Sequence, residues 1–302
     1  MKSKLYLVLF IGLLFGCQQE KEPLRLATYT YATNNRIENM RPLAENMESL
    51  LNRKVEMQSY PDVESFISAI KSNEVDVALI NTLGYLVLAS DNKHMIPVAN
   101  MHIREDAVDN YKTVLLTQND SIKDYSQLMD NAGSLTMMFV AEGSTSGNLV
   151  PRLFLSAIGL PSPESQFQEV KYGGNHTSTL EKLLAGEADL CAIGSNEYYK
   201  QINADTTLNS RLRALWISDE IPLGPVLINK GVSDDEKERI TSFLLALHTQ
   251  NVNAFESIKA GWSEAKQADK FQPITDEYYD SFREVDGNKT HLENILKMFE
   301  EN

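Results

Sequence analysis

Residues Leu135–Gly159, LTMMFVAEGSTSGNLVPRLFLSAIG, allow few local structures. The apolar run Leu135 to Val140 reads as a buried strand. Glu142-Gly143-Ser144-Thr145-Ser146-Gly147 follows, with three hydroxyls between two glycines. Leu149, Val150, Leu153, Phe154, Ala157 and Ile158 then recur at helical spacing, and Gly159 stands where a helix C-cap belongs. Pro151 is tolerated only near the first turn of a helix, so the helix must open close to the hydroxyls.

A strand, a hydroxyl-rich turn and a helix start bring free backbone N–H groups, a positive dipole end and hydroxyl donors to one place. Such a place suits an oxyanion. The same residues also suit ordinary Ser/Thr capping, and the local sequence leaves both readings open. Gly143 to Gly147 imitates the G-x-S-x-G nucleophile elbow, but its central residue is Thr145. The acid-then-base order of that motif is missing as well, because His176 precedes Asp189.

The chain opens with Lys2 and Lys4, an apolar run Leu5 to Phe15, and Gly16-Cys17. The run is too short to span a membrane as a mature helix. Its ending resembles the lipobox of bacterial lipoproteins, which implies a signal peptide over residues 1–16 and lipidation at Cys17. A plain signal peptide cleaved nearby is the alternative. Residues 17–23 would form a short polar tether. No other stretch approaches 18 apolar residues, so the mature chain is expected to be soluble but anchored.

The formal charge is −14, and losing Lys2 and Lys4 with the leader makes it −16. So acidic a chain is a poor candidate for nucleic-acid binding. It can still hold an anion, but local donors must do so against the global field. His94, His102, His176, His248 and His291 show no metal-ligand spacing, so neither metal nor cofactor is expected. Cys191 lies in an apolar run and reads as a buried small hydrophobe, which leaves no disulfide framework.

At 302 residues the chain is long enough for about two domains. Strands are expected at Leu24–Tyr29, Lys54–Gln58, Val75–Ile80, Ile96–Met101, Lys112–Leu116, Gln168–Tyr172, Leu212–Ile217 and Val226–Asn229. Helices are expected at Asn35–Leu51, Phe66–Lys71, Asp234–Thr249, Asn253–Ala260, Thr275–Arg283 and Leu292–Phe299. The alternation argues for α/β architecture with helices on both sheet faces. FISAIKSNEVDVALIN (Phe66 to Asn81) and TLEKLLAGEADLCAIG (Thr179 to Gly194) share one pattern: helical stripe, small-residue turn, acid, then x-Asp-apolar-x-Ala-Ile. The two copies suggest two lobes of similar topology, with strands ending at Asn81 and Gly194. A ligand beyond the carboxyl ends of both strands would meet Asn81-Thr82 and Gly194-Ser195.

Several segments together resemble the phosphate/phosphite/phosphonate-binding proteins of ABC importers, a branch of the type II periplasmic solute-binding proteins. They are LRLATYTYA, SNEVDVALINTLGYL, DNYKTVLLTQNDSIKDYSQL, FVAEGSTSGNLVPRLFLSAIGL, VKYGGNHTSTLEKLLAGEADLCAI, LRALWISDEIPLGPVLIN and FQPITDEYYDSFREV. The most specific pieces are S-T-S-G followed by x-x-x-Pro, and Gly-Gly-x-His before a helix. The resemblance implies a two-lobed fold, each lobe a mixed sheet flanked by helices, with the ligand cleft between. Lobe one would comprise 24–115 plus 225–302, and lobe two 116–224. It implies that Ser144, Thr145, Ser146 and His176 hold the oxyanion, while Thr30, Tyr31, Asn81 and Thr82 close over it. Tyr85 and Ser195 are further candidates. His176 would add a donor in either protonation state and a charge when protonated, so binding should vary with pH between about 6 and 8.

The implied partners are a small oxyanion or phosphonate-like ligand and an ABC permease, with a monomeric receptor held to the membrane by lipid alone. A sensing partner of a membrane receptor is the alternative, and an enzyme on the same scaffold a more distant one. Relatives that bind aminoalkyl phosphonates carry acids for the amine. This chain has Gly194-Ser195-Asn196 at one such place, with Glu197 close by, and no acid in the turn Ile221–Pro225 at the other. Val63 replaces an aromatic of the family, with Tyr60 nearby. These departures leave the ligand open.

Overall fold

The structure, a computed structural model, describes residues 21–31, 34–92, 94–107, 110–283, 292, 295 and 296. The leader, Cys17 and most of the expected helix Leu292–Phe299 lie outside the described residues.

Two mixed sheets organise the chain. Strands β1 (Leu24–Tyr31), β2 (Asn34–Asn35), β3 (Val55–Tyr60), β4 (Val77–Leu79) and β5 (Met95–Ile103) enter the first. Strands β6 (Thr113–Thr117), β7 (Thr136–Phe139), β8 (Glu169–Tyr172), β9 (Leu190–Gly194) and β10 (Arg213–Ile217) make the second. The chain then returns with β11 (Pro225–Asn229) and β12 (Ala268–Pro273). The first sheet runs β12-β5-β11-β4-β1-β2, with β3 also on β1; the second runs β10-β6-β9-β7-β8. β1 pairs in parallel with β3 and β4, as β7 does with β8 and β9. An antiparallel strand follows in each: β11 on β4, β6 on β9. The chain crosses between the sheets twice, after β5 and after β10. The expected boundary at 115/116 falls within β6, all of whose residues pair in the second sheet.

Helices α1 (Ile37–Leu51), α2 (Val63–Lys71) and α3 (Thr82–Ala89) flank the first sheet. Helices α4 (Tyr125–Asn131), α5 (Val150–Ala157), α6 (Pro163–Gln166), α7 (His176–Leu184), α8 (Ser195–Ala204) and α9 (Leu208–Arg211) flank the second, and α10 (Asp234–Gln250) and α11 (Val252–Gly261) return to the first. Each sheet is apolar on both faces. Leu26, Met40, Leu43, Leu244 and Ile258 fill one side of the first, and Phe66, Ile70, Ile80 and Leu86 the other. Phe139, Leu155 and Leu190 fill one side of the second, and Val140, Leu180 and Ile193 the other. Burial on both faces is what parallel strands need.

The internal echo is structural. α2 and α7 open at Val63 and His176, and α3 and α8 at Thr82 and Ser195, each pair offset by 113 residues. Strand β2 and helices α3, α4, α6 and α9 were not among the expected elements, and three further details differ from the sequence expectation. Thr275–Arg283 is a 3-10 turn, Asp276–Tyr279, plus a short helix, Asp280–Arg283, rather than one helix. Tertiary bonds hold that turn open: Tyr85 donates to Asp276, and Tyr279 Oη donates to the Leu223 carbonyl at 2.7 Å. β12 was not foreseen, because it is an edge strand with little alternation that pairs only with β5, across a bulge. α8 was also unforeseen, its stripe being interrupted by polar residues.

Candidate functional site

The hydroxyl turn is built by Pro151. An α-helical residue at that position would send its N–H to the Gly147 carbonyl; proline has none. The freed carbonyl accepts instead from Val140 N, just past the end of β7, at 3.0 Å. Thr145–Leu149 adopts a wide π-helical turn, closed by Val150 N on the Thr145 carbonyl, and leads directly into α5. Ser144 is its N-cap, accepting from Gly147 N at 3.1 Å. The capping reading thus holds for Ser144, and the three hydroxyls are differently engaged. Ser144 caps; Thr145 Oγ1 accepts from Leu83 N at 3.0 Å; Ser146 Oγ is buried, with the Tyr111 hydroxyl near it but no well-formed hydrogen bond.

His176 is presented by the Gly-Gly turn. Gly174 has φ +97°, and a Cβ on Gly173 would stand 2.7 Å from the Thr179 Cα, so neither position accepts a side chain without strain. Asn175 caps α7 by accepting from Ser178 N, which sets His176 as the first helical residue. Its Nδ1 accepts from Gly194 N at 3.0 Å. The neutral ring therefore carries its proton on Nε2, which lies 3.2 Å from Tyr31 Oη. Tyr31 Oη in turn donates to Ser144 Oγ at 3.3 Å. Ser146 Oγ and His176 Cε1 lie 3.2 and 3.4 Å from where a Cβ on Gly194 would stand. The glycine at the end of β9 thus leaves these two groups side by side.

Most of these groups line one cavity of about 880 Å3 between the units built on the two sheets. Tyr31, Asn81, Ser144, Thr145 and His176 face it directly. Asn81 also caps α3 through Gly84 N and donates to the Gly143 carbonyl at 2.9 Å, tying the two units together. Five other candidates lie outside the lining, and Ser146 is one of them, buried beside His176. Thr30 shares a hydrogen bond with Ser59, and Thr82 donates to the Pro222 carbonyl at 2.5 Å. Tyr85 donates to Asp276 and stacks on Tyr279; Ser195 donates to the Asn110 carbonyl at 2.6 Å.

The cavity also holds residues the sequence did not single out: Tyr29, Arg36, Tyr111, Trp262 and Glu264. Arg36 is 3% exposed, with its guanidinium over the rings of Tyr29, Tyr31 and Trp262. Its Nε donates to the Gly261 carbonyl at 3.0 Å and its Nη2 lies 3.8 Å from Glu264. Burial opposes its charge, but Tyr29 and Glu264 outweigh that and keep it protonated. Burial pushes the Tyr31 hydroxyl up to about 12 and Tyr111 higher still, so both remain donors at neutral pH.

Burial holds His176 down at about 4, with Glu197 pulling weakly the other way. The sequence had anticipated a charge change between pH 6 and 8; desolvation removes it. The affinities of wild type and His176→Gln should therefore keep a constant ratio from pH 6 to 8 in calorimetric titration. A ratio that changes tenfold would place the histidine's titration back in that range. Stability carries the opposite signature. An unfolded histidine titrates near 6.5, so between about 6.5 and 4 the unfolded chain takes the proton more readily. The neutral ring's contribution is complete above 6.5 and is lost as pH falls toward 4. Thermal melts of wild type should decline more steeply than those of His176→Gln across that window.

Residues 27–279 match the sequence model of the periplasmic substrate-binding proteins of phosphonate ABC transporters. The chain belongs to that family. It is 24% identical over 251 residues to the phosphonates-binding periplasmic protein of Escherichia coli (strain K12), covering 83% of this chain and 73% of that one. Its fold matches the crystal structure of a binding component of a phosphonate ABC transporter from Pseudomonas aeruginosa, with TM-score 0.68 and 19% identity over 90% of this chain and 88% of that one. It also matches PhnD1 from Prochlorococcus marinus (MIT 9301), solved in complex with methylphosphonate, with TM-score 0.67 and 16% identity over 86% and 96% of the two chains. The chain is thus the substrate-binding component of an ABC importer, its two mixed sheets forming a type II periplasmic binding-protein fold. Its relatives are named as binding proteins rather than enzymes. Among the described residues, no helix is long and apolar enough to cross a membrane, and no acid–histidine–cysteine group could hold a metal.

Proposed function

We propose that this chain is a lipid-anchored extracytoplasmic receptor that captures a small oxyanion of the phosphonate, phosphite or phosphate type and delivers it to an ABC permease. The observation that carries the reading is the meeting of Ser144, His176 and Tyr31 at one cavity between the two units, with Ser146 buried beside His176. All three are neutral donors at physiological pH, arranged around a helix start. PhnD1, also described as a probable phosphite-binding protein, and its complex with methylphosphonate supply the ligands to try first.

The two lobes of the clamp are the units built on the two sheets, and the hinge lies in the two crossings between the sheets, the second of them at 218–224. Asn81, Leu83 and Tyr31 of the first unit bond to Gly143, Thr145, Ser144 and His176 of the second. Asn196 Nδ2 closes the mouth on the Ser263 carbonyl at 3.2 Å. A ligand enters only when these bonds part, and favours the closed state by touching both lobes. Calorimetric titration with methylphosphonate, phosphite and phosphate should show binding of at least one. Small-angle scattering should show a monomer whose radius of gyration falls on binding. An unchanged profile at saturating ligand would rule out the hinged clamp.

Cys17 is the anchor. Cys17→Ala should move the protein from the detergent phase to the aqueous phase on partitioning, because stable anchoring requires more than one acyl chain and the variant has none. Equal partitioning of the two proteins would refute the lipobox reading.

A further inference from the structure

We propose that Arg36 is a ligand-binding residue that selects a phosphonate carrying a second acidic group, such as a carboxylate on its alkyl substituent. This assignment rests on the oxyanion-receptor reading above and names the substrate class of the same cleft.

Among the described residues, three buried polar atoms at or beside the cavity make no well-formed hydrogen bond: Ser146 Oγ, near Tyr111, and Tyr29 Oη and Arg36 Nη1, whose side chains lie near each other. A buried donor left unpaired is costly, and more so on a charged group. Ser146 sits beside His176, at the oxyanion end. Tyr29 and Arg36 sit at a second end. The Arg36 guanidinium lies 5.2 Å from the centroid of the Tyr31 ring, whose hydroxyl touches His176 and Ser144. One aromatic ring thus separates two sets of donors. A cavity of about 880 Å3 is far larger than a bare oxyanion needs, and falls in the range of pockets that hold an organic ligand.

The charges at the second end favour an acid over an amine. Glu264 is paired with Arg36, and Glu256 with Lys259. Glu197 is held by Thr177, Gln201 and Lys200. Glu181 stands at the exposed rim. An ammonium group placed beside Arg36 would meet a buried cation with its carboxylates already engaged. A carboxylate there accepts from Nη1 and Tyr29 Oη, a charge-assisted arrangement. The stacking of Arg36 on three aromatic rings holds the guanidinium in place before the ligand arrives.

The test is calorimetric titration with three phosphonates of matched length: 2-carboxyethylphosphonate, ethylphosphonate and 2-aminoethylphosphonate. Wild type should bind the carboxyl compound about tenfold or more tighter than the amino compound, with ethylphosphonate between them, since a charge-assisted bond changes affinity by about that factor. Arg36→Gln should lose the preference for carboxyl over ethyl while still binding ethylphosphonate. Glu264→Gln, which frees the guanidinium from its counter-charge, should widen the preference. Each preference is a ratio within one protein, so a reduced folded fraction in a variant does not alter it, and the wild-type ratio decides even if neither variant folds. If all three ligands bind and the amine is as tight as the acid, or if the acid preference survives in Arg36→Gln, the assignment falls and the oxyanion reading stands. If none binds, the assignment falls, and the oxyanion reading is decided separately by the titrations with methylphosphonate, phosphite and phosphate.

Discussion

Ser146→Ala is expected to weaken oxyanion binding about 10- to 100-fold while leaving the melting temperature unchanged or slightly raised. The hydroxyl is buried with only the Tyr111 hydroxyl near it and makes no well-formed hydrogen bond, so its removal costs little. In the proposed reading it donates to a charged ligand oxygen, an interaction of roughly 1.5–3 kcal/mol, where about 1.4 kcal/mol is tenfold. Its neighbours show how specific this separation is. Thr145→Ala removes the acceptor of the buried Leu83 N–H, and should lower stability by about 1–3 kcal/mol along with affinity. Ser144→Ala removes the helix cap, at about 1 kcal/mol, together with the bond from Tyr31. Only Ser146 should lose affinity without losing stability. Titrations beside thermal melts of the three variants read the pattern; wild-type affinity in Ser146→Ala would mean the ligand sits elsewhere.

Gly224→Ala should be the most destabilising single-methyl change near the hinge. A Cβ there would stand 2.0 Å from the Ile80 carbonyl oxygen and 2.6 Å from the Asn81 Cα. Both are backbone atoms, so no side chain can rotate away. The second crossing must separate from the end of β4, and overpacking of this kind costs about 3 kcal/mol or more. In a chain of this size that lowers the melting temperature by on the order of 5–10 °C. Asn81 would be displaced with its bond to Gly143, so affinity should fall as well. A melt within 2 °C or so of wild type, small beside that shift, would show that the crossing gives way freely.

Much of this architecture was legible in one dimension. The strand–hydroxyl–helix segment, the Gly-Gly-x-His turn and the 113-residue echo each depend on neighbours a few residues apart, through periodicity, capping and the special geometry of glycine and proline. Even the position of Pro151 implied where the helix opens. The partners of each group were not legible, because they come from distant parts of the chain. Thr30, Thr82, Tyr85 and Ser195 stand near strand ends as expected, yet their hydroxyls bond Ser59, Pro222, Asp276 and Asn110 rather than facing the cavity. Arg36 carried no local signal, and only the approach of Tyr29, Tyr31 and Trp262 around it makes it a cleft residue. The charge of His176 was decided the same way. Its residue type permits titration near neutrality, but enclosure beneath Tyr31 and against Gly194 keeps the ring neutral. Local chemistry determined which elements form and where an oxyanion could be held. Long-range packing decided which hydroxyl is left free, because a hydrogen bond or a lost water shell depends on atoms that only folding brings within reach.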